Sequence, residues 1–180
     1  REDLLIRLNE TARQNGRSLY ETVNDILELA ISADDASVSL REAIDEKNLI
    51  KSAKEKGMIL GLENIWQELS ALAYSSSKES AIAIWCGAGK WFAKRYLLEE
   101  ANDPFSALKK DMESFSWNIH EFKIDRTDGA VSISAISPQF SEAYSIQFLA
   151  FIVSCIETFG YKIVEKEASR GSLSLKAILR

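Results

Sequence analysis

At 180 residues the chain has room for one good core, or one core with a small satellite unit, since domains typically hold about 100–150 residues. An apolar fraction of 46% and a charged fraction of 27% exclude a disordered or fibrous chain. A net charge of −5 excludes a generally basic nucleic-acid binder, so any phosphate contact has to be local.

From Glu2 to Ala12, Leu4, Leu5, Leu8 and Ala12 recur at helical spacing, and Asn15-Gly16 supplies a helix-ending signal. Ser18 with Glu21 three residues on is a capping box, in which each side chain satisfies a backbone N–H of a second helix. The stripe of that helix is Leu19, Val23, Ile26, Leu27 and Ala30. Two short helices cannot bury both stripes within so small a unit, so Leu5, Leu8, Leu19, Val23, Ile26 and Leu27 are expected to pair two copies as a homodimer. The polar stretch 32–37 lacks periodicity and reads as a linker, which divides the chain into residues 1–35 and 36–180.

Leu40 to Lys56 reads as a charged helix with Ile44 and Ile50 on its inner side. Ile59 to Tyr74 is strongly amphipathic through Leu62, Ile65, Trp66, Leu69 and Leu72 and reads as a core helix. Ser75-Ser76-Ser77 marks a break before an aromatic-rich helix, Ile82 to Leu98, carrying Gly87, Ala88 and Gly89. Asn102-Asp103-Pro104 closes it, and a short helix follows from Phe105 to Phe115.

The period then changes from 3.6 to 2. Trp117 to Ile124 and Ala130 to Ile136 are strands of an antiparallel hairpin, with Asp128-Gly129 as its turn signal. Ser141 to Phe159 is an almost wholly apolar helix ended by Gly160. Tyr161 to Glu167 and Ser172 to Leu179 form a second hairpin across Arg170-Gly171. The expected fold is α+β: an N-terminal helix pair, then helices packed on an antiparallel sheet of order β-β-α-β-β in sequence.

Residues 2–31, with their helix, Gly-containing turn and Ser-capped helix, resemble the helical part of ribbon-helix-helix transcription regulators. In that family two chains interlock, paired N-terminal strands enter the DNA major groove, and the start of the second helix holds a phosphate. The resemblance implies phosphate contact by the backbone at Arg17, Ser18 and Leu19, with Arg13 adding its side chain. The base-reading strand would precede Glu2, so base readout is assigned to no residue here, and DNA is a partner only with such an upstream strand.

From Ile59 to Leu179 the chain resembles the 4-vinyl reductase domain family, carried by IWCGAGKWFAKRYL at 84–97 and FLAFIVSCIETFGYKIVEKEASRGSLSLKAIL at 148–179. That family is related in fold to heme-dependent nitric oxide sensors and to vesicle-tethering subunits. Its members bind small apolar molecules or serve as dimeric interaction modules, and some carry a cysteine-rich end. Residues 160–180 hold no Cys and no His, so no metal site is carried over.

Gly87-Ala88-Gly89-Lys90 is not a phosphate loop, because Ile84 occupies the first glycine position and Trp91 the Ser/Thr position. His120 is the only histidine, which excludes a His-based metal cluster, and Cys86 and Cys155 sit in apolar helices as packing thiols. Glu165 and Glu167, interleaved with Lys162 and Lys166, read as a solvated strand face, and Glu99-Glu100 and Lys109-Lys110 as surface charge. Neither an enzyme nor a cofactor is expected.

Small residues beside aromatic ones suggest an apolar pocket between helix 81–98 and helix 141–159, lined by Trp85, Ala88, Gly89, Phe92, Phe148, Phe151 and Ile152. The same composition equally fills a core. Two isolated cysteines and the absence of a 20-residue apolar stretch point to a cytoplasmic protein not held in a membrane. The expected function is a transcription-regulator-like DNA-binding protein with a C-terminal small-molecule sensor domain, the alternative being a dimeric adaptor or scaffold without DNA binding.

Overall fold

The structure, a computed structural model, describes residues 1–59, 61–99 and 102–180, so Glu100 of the expected charge run lies outside the described residues. The described chain is α+β, with seven helices and one four-stranded sheet. It forms two compact units, Arg1–Met58 and Ile59–Arg180. The division falls between Met58 and Ile59 rather than after residue 35, and the reason is local.

The first unit holds α1 (Glu2–Gln14), α2 (Leu19–Asp35) and α3 (Leu40–Glu55). The stretch 32–37 is no linker: α2 runs on to Asp35 and turns sharply, with Ser37 N–H donating to Asp34 O at 2.8 Å and Val38 N–H to Ala33 O at 2.9 Å. Ser39 then starts α3 with a second capping box, its Oγ accepting from Glu42 N–H at 3.1 Å while Glu42 accepts from Ser39 N–H at 3.1 Å. That box is legible in the sequence and turns the expected helix pair into three helices. α1 ends as expected, with Gly16 at φ +66 and Arg17 N–H donating to Ala12 O at 2.9 Å. The only buried residues of the three helices are Ala12, Thr22 and Ala53. Ile44 and Ile50, expected inside, are exposed.

The second unit begins with α4 (Glu63–Ser76), α5 (Lys78–Glu99) and α6 (Pro104–Phe115). Ser77, extended between α4 and α5, makes the expected break. Asp103 caps α6, accepting from Ser106 N–H at 3.2 Å, with Pro104 at the first helical position, where its missing N–H costs nothing. Two hairpins flank α7 (Glu142–Thr158): β1 (Glu121–Thr127) with β2 (Ala130–Ile136), and β3 (Tyr161–Ser169) with β4 (Ser172–Leu179). In space the order is β1-β2-β4-β3, antiparallel throughout, so β2 and β4 are central and pair across the α7 crossover.

β1 starts later than expected. Asp128 and Gly129 both adopt positive φ, +47 and +80, as a two-residue hairpin turn requires, and pairing outward from Thr127 and Ala130 ends with Glu121 opposite Ile136. Trp117 is left exposed ahead of the strand. One face of the sheet is buried through Ile124, Val131, Ile133, Ala135, Leu173, Leu175 and Ala177, and α7 lies against β3 and β4 with Leu149, Ile152, Cys155 and Ile156 buried. The other face carries Ser132, Ser134, Ser174 and Lys176 toward solvent.

α4 is not the core helix its periodicity suggests. Its one buried residue is Ser70, whereas Ile65, Trp66, Leu69 and Leu72 of the apolar stripe are 43–63% exposed. The inner face is polar: fully buried Gln147 of α7 donates from Nε2 to Ser70 O at 3.0 Å, and Gln67 Oε1 accepts from Ser141 N–H and Oγ at 3.4 Å each. Gln147 Oε1 and Ser145 Oγ are buried with no hydrogen-bond partner.

Candidate assembly and nucleic-acid interface

The start of α2 is where a phosphate contact was expected. Ser18 is extended at φ −73, ψ 156, its Oγ accepts from Glu21 N–H at 3.2 Å, and Glu21 Oε2 accepts from Ser18 N–H and Ser18 Oγ at 2.8 Å each. Hydrogen bonds from the Ser18 backbone and hydroxyl, aided by the Arg17 charge, hold the Glu21 carboxyl below the usual carboxylate range. Arg17 forms an ion pair with Asp25. The Ser18 N–H and the Arg17 guanidinium therefore already face carboxylates, which an incoming phosphate has to displace. Arg13 is exposed in the last turn of α1, and Leu19 is half-buried. The Arg17–Asp25 pair, eight residues apart, has no signature in the sequence.

The dimerisation set is partly uncovered. Leu5, Ile26 and Leu27 are about half exposed, at 51%, 45% and 54%, while Leu8, Leu19 and Val23 are half-buried. Leu4, Ile6, Leu29 and Ile31, absent from the expected set, are exposed as well.

The expected apolar pocket between α5 and α7 is closed. Gly89 is buried, and a Cβ there would collide with Phe151 O and lie 3.1 Å from Ser154 Cβ. The Cys155 thiol donates to Gly89 O at 3.2 Å, and burial raises its pKa well above an ordinary thiol's. Gly89 serves close packing, not space. Trp85 meets Tyr144 edge-on at 5.5 Å and Phe151 at 6.5 Å, Phe92 lies 5.7 Å from Phe151, and Phe148 stacks on Phe151 at 6.2 Å. The aromatic residues thus fill the helix interface, joined by Phe122 and Phe140, which sequence reasoning left out. Ile152 is fully buried in α7, and Ala88, exposed like Gly87, faces away from it.

A different hollow exists at the start of α7: an open, polar groove of about 700 Å³ between Glu63, Gln67 and Glu68 of α4, Gln139 and Glu142, with Arg170 from the β3–β4 turn. His120 lies in a neighbouring hollow with Glu63 and Trp117. Among the described residues no group of three or more His, Cys, Asp or Glu side chains is placed to hold a metal ion, and no helix is long and apolar enough to cross a membrane. Neither a protein-family model nor a curated protein matches this chain.

Proposed function

We propose that the chain is a homodimeric, transcription-regulator-like protein of the cytoplasm, in which the first unit assembles two copies and contacts DNA phosphates while the second serves as an interaction domain. One observation carries this reading: α1 and α2 together bury only Ala12 and Thr22 and leave several Leu and Ile side chains exposed. A helix pair without an interior gains too little from burial to hold its own conformation, so a second copy must supply the missing core. The Gly16 turn and the Ser18 cap support the likeness to ribbon-helix-helix proteins. Free thiols at Cys86 and Cys155 support the cytoplasmic placement. The filled α5–α7 contact favours a protein partner over an apolar small molecule for the second unit.

Mobility-shift titration of the intact protein with duplex DNA tests the DNA half of this proposal. Binding is expected to weaken steeply as salt rises, because phosphate contacts release counterions. Glu21→Gln, which removes a carboxylate from the helix start, is expected to tighten it. The alternative, a dimeric adaptor without DNA binding, is favoured by the engagement of Ser18 N–H and Arg17 with Glu21 and Asp25. A stable dimer that shifts no DNA in either form would establish that alternative.

A further inference from the structure

We propose that Asn15 is a site of spontaneous covalent modification, in which the backbone nitrogen of Gly16 displaces the side-chain amide and the products uncouple α1 from α2. The observation behind it is the junction itself. The chain's one Asn-Gly pair stands exposed at the end of α1, in the turn that leads into α2. Each of the other six asparagines precedes a residue with a side chain, which crowds the attacking nitrogen. Glycine leaves that nitrogen open.

The step needs only water. Gly16 N gives up its proton to solvent and bonds to Asn15 Cγ, the amide leaves as ammonia, and a succinimide ring closes. Water then adds to one of the two ring carbonyls. Opening at Cγ gives aspartate, and opening at the Asn15 main-chain carbonyl gives isoaspartate, whose backbone runs through the former side chain.

The fold sets the rate. In the closed turn Asn15 holds φ −91, ψ 1, Gly16 N–H donates to Arg13 O at 3.2 Å, and Arg17 N–H donates to Ala12 O at 2.9 Å. Ring closure needs Asn15 to rotate toward an extended ψ, which breaks these bonds. Only Ala12 and Thr22 are buried in the two helices, so local opening of this turn costs little. Asp128-Gly129 closes the same ring by losing water, but it is clamped between paired Thr127 and Ala130, with Gly129 O accepting from Leu179 N–H at 2.7 Å.

Both products disturb the turn. Isoaspartate adds a backbone carbon between Ala12 and Arg17, so their hydrogen bond cannot re-form as it stands. Aspartate puts a carboxylate at the C-terminal end of α1, where the helix dipole is negative. It also lies two residues from Arg17, in competition with Asp25 for the guanidinium.

Peptide mapping by mass spectrometry of the full chain, aged at mildly alkaline pH, tests the site. Conversion at Asn15 is expected to be at least tenfold faster than at any other asparagine, with isoaspartate forming there well before it forms at Asp128. The aged chain is then unfolded in urea beside aged Asn15→Gln, whose longer side chain closes a ring far more slowly and whose position is exposed. The expected result is a lower urea midpoint of the helical signal in the aged parent and an unchanged one in aged Asn15→Gln. Conversion at Asn15 no faster than at the other asparagines would overturn the site. Full conversion with an unchanged midpoint, or an equal fall in Asn15→Gln, would overturn the uncoupling.

Discussion

Ser37 holds φ +56 at the turn after α2, a left-handed conformation that costs an L-residue about 1–2 kcal/mol and a glycine almost nothing. Ser37→Gly is therefore expected to stabilise the first unit by about 1 kcal/mol, measured as a higher urea midpoint followed by helical circular dichroism. Gly87 and Gly89, two residues apart on α5, are expected to respond with opposite signs. Gly87 has open space where a Cβ would go, so Gly87→Ala should gain about 0.5–1 kcal/mol from helix propensity. Gly89→Ala drives a methyl into the Phe151 backbone and should cost about 1–3 kcal/mol, compared with Gly87→Ala by thermal unfolding. Equal effects at the two sites would contradict the close α5–α7 contact. Glu21 and Glu42 titrate below the ordinary value of 4.5 because Ser18 and Ser39 donate to their carboxylates. A depressed folded value stabilises above the unfolded one, so both capping boxes contribute fully above about pH 4.5 and are lost as pH falls through the depressed values. The helical signal of the first unit should weaken over that acid range, and E21Q with E42Q should flatten the response.

At the scale of the element, the proposed assembly rests on the stripe of α1 and α2. Burying a Leu or Val side chain contributes about 1.5–3 kcal/mol, so Leu8→Asp or Val23→Asp should raise the dimer dissociation constant at least tenfold by analytical ultracentrifugation. A parent chain that sediments as a monomer would remove the premise. Local signals were legible: β2 and β4 match their expected bounds from alternation alone, and the Ser18 box and the Asp128-Gly129 turn act as their residue types dictate. What failed was the assignment of sides. Periodicity shows that α4 has an apolar face but not whether this chain covers it, and here Gln147 and Ser70 hold the other face inward. The same limit applies to Ile44 and Ile50 of α3. The triplet Gly87, Ala88, Gly89 reads alike whether small residues make room for a ligand or for a neighbouring backbone. Only the position of Phe151 decides between them.

At the scale of the whole molecule, the two units should differ in how their stability depends on concentration. The sheet and α7 bury a core within one chain, whereas α1 and α2 bury little and, in the proposed dimer, depend on a second copy. Amide hydrogen exchange should therefore slow in residues 2–35 as protein concentration rises and stay constant in β2 and β4. Protection in residues 2–35 that ignores concentration would show a monomeric helix unit. The division after Met58 was hidden from sequence reasoning because the polar stretch 32–37 resembles a linker in composition, while its hydrogen bonds make it a tight turn. The strand order carries one more consequence, for biosynthesis. Because β4 is synthesised after β3 yet lies between β2 and β3, the emerging chain presents the backbone N–H and C=O groups along one side of β2 as an open edge until residues 172–179 have left the ribosome. A nascent chain stalled ahead of Ser172 would thus carry a hairpin with an unmet edge, the species most in need of a chaperone.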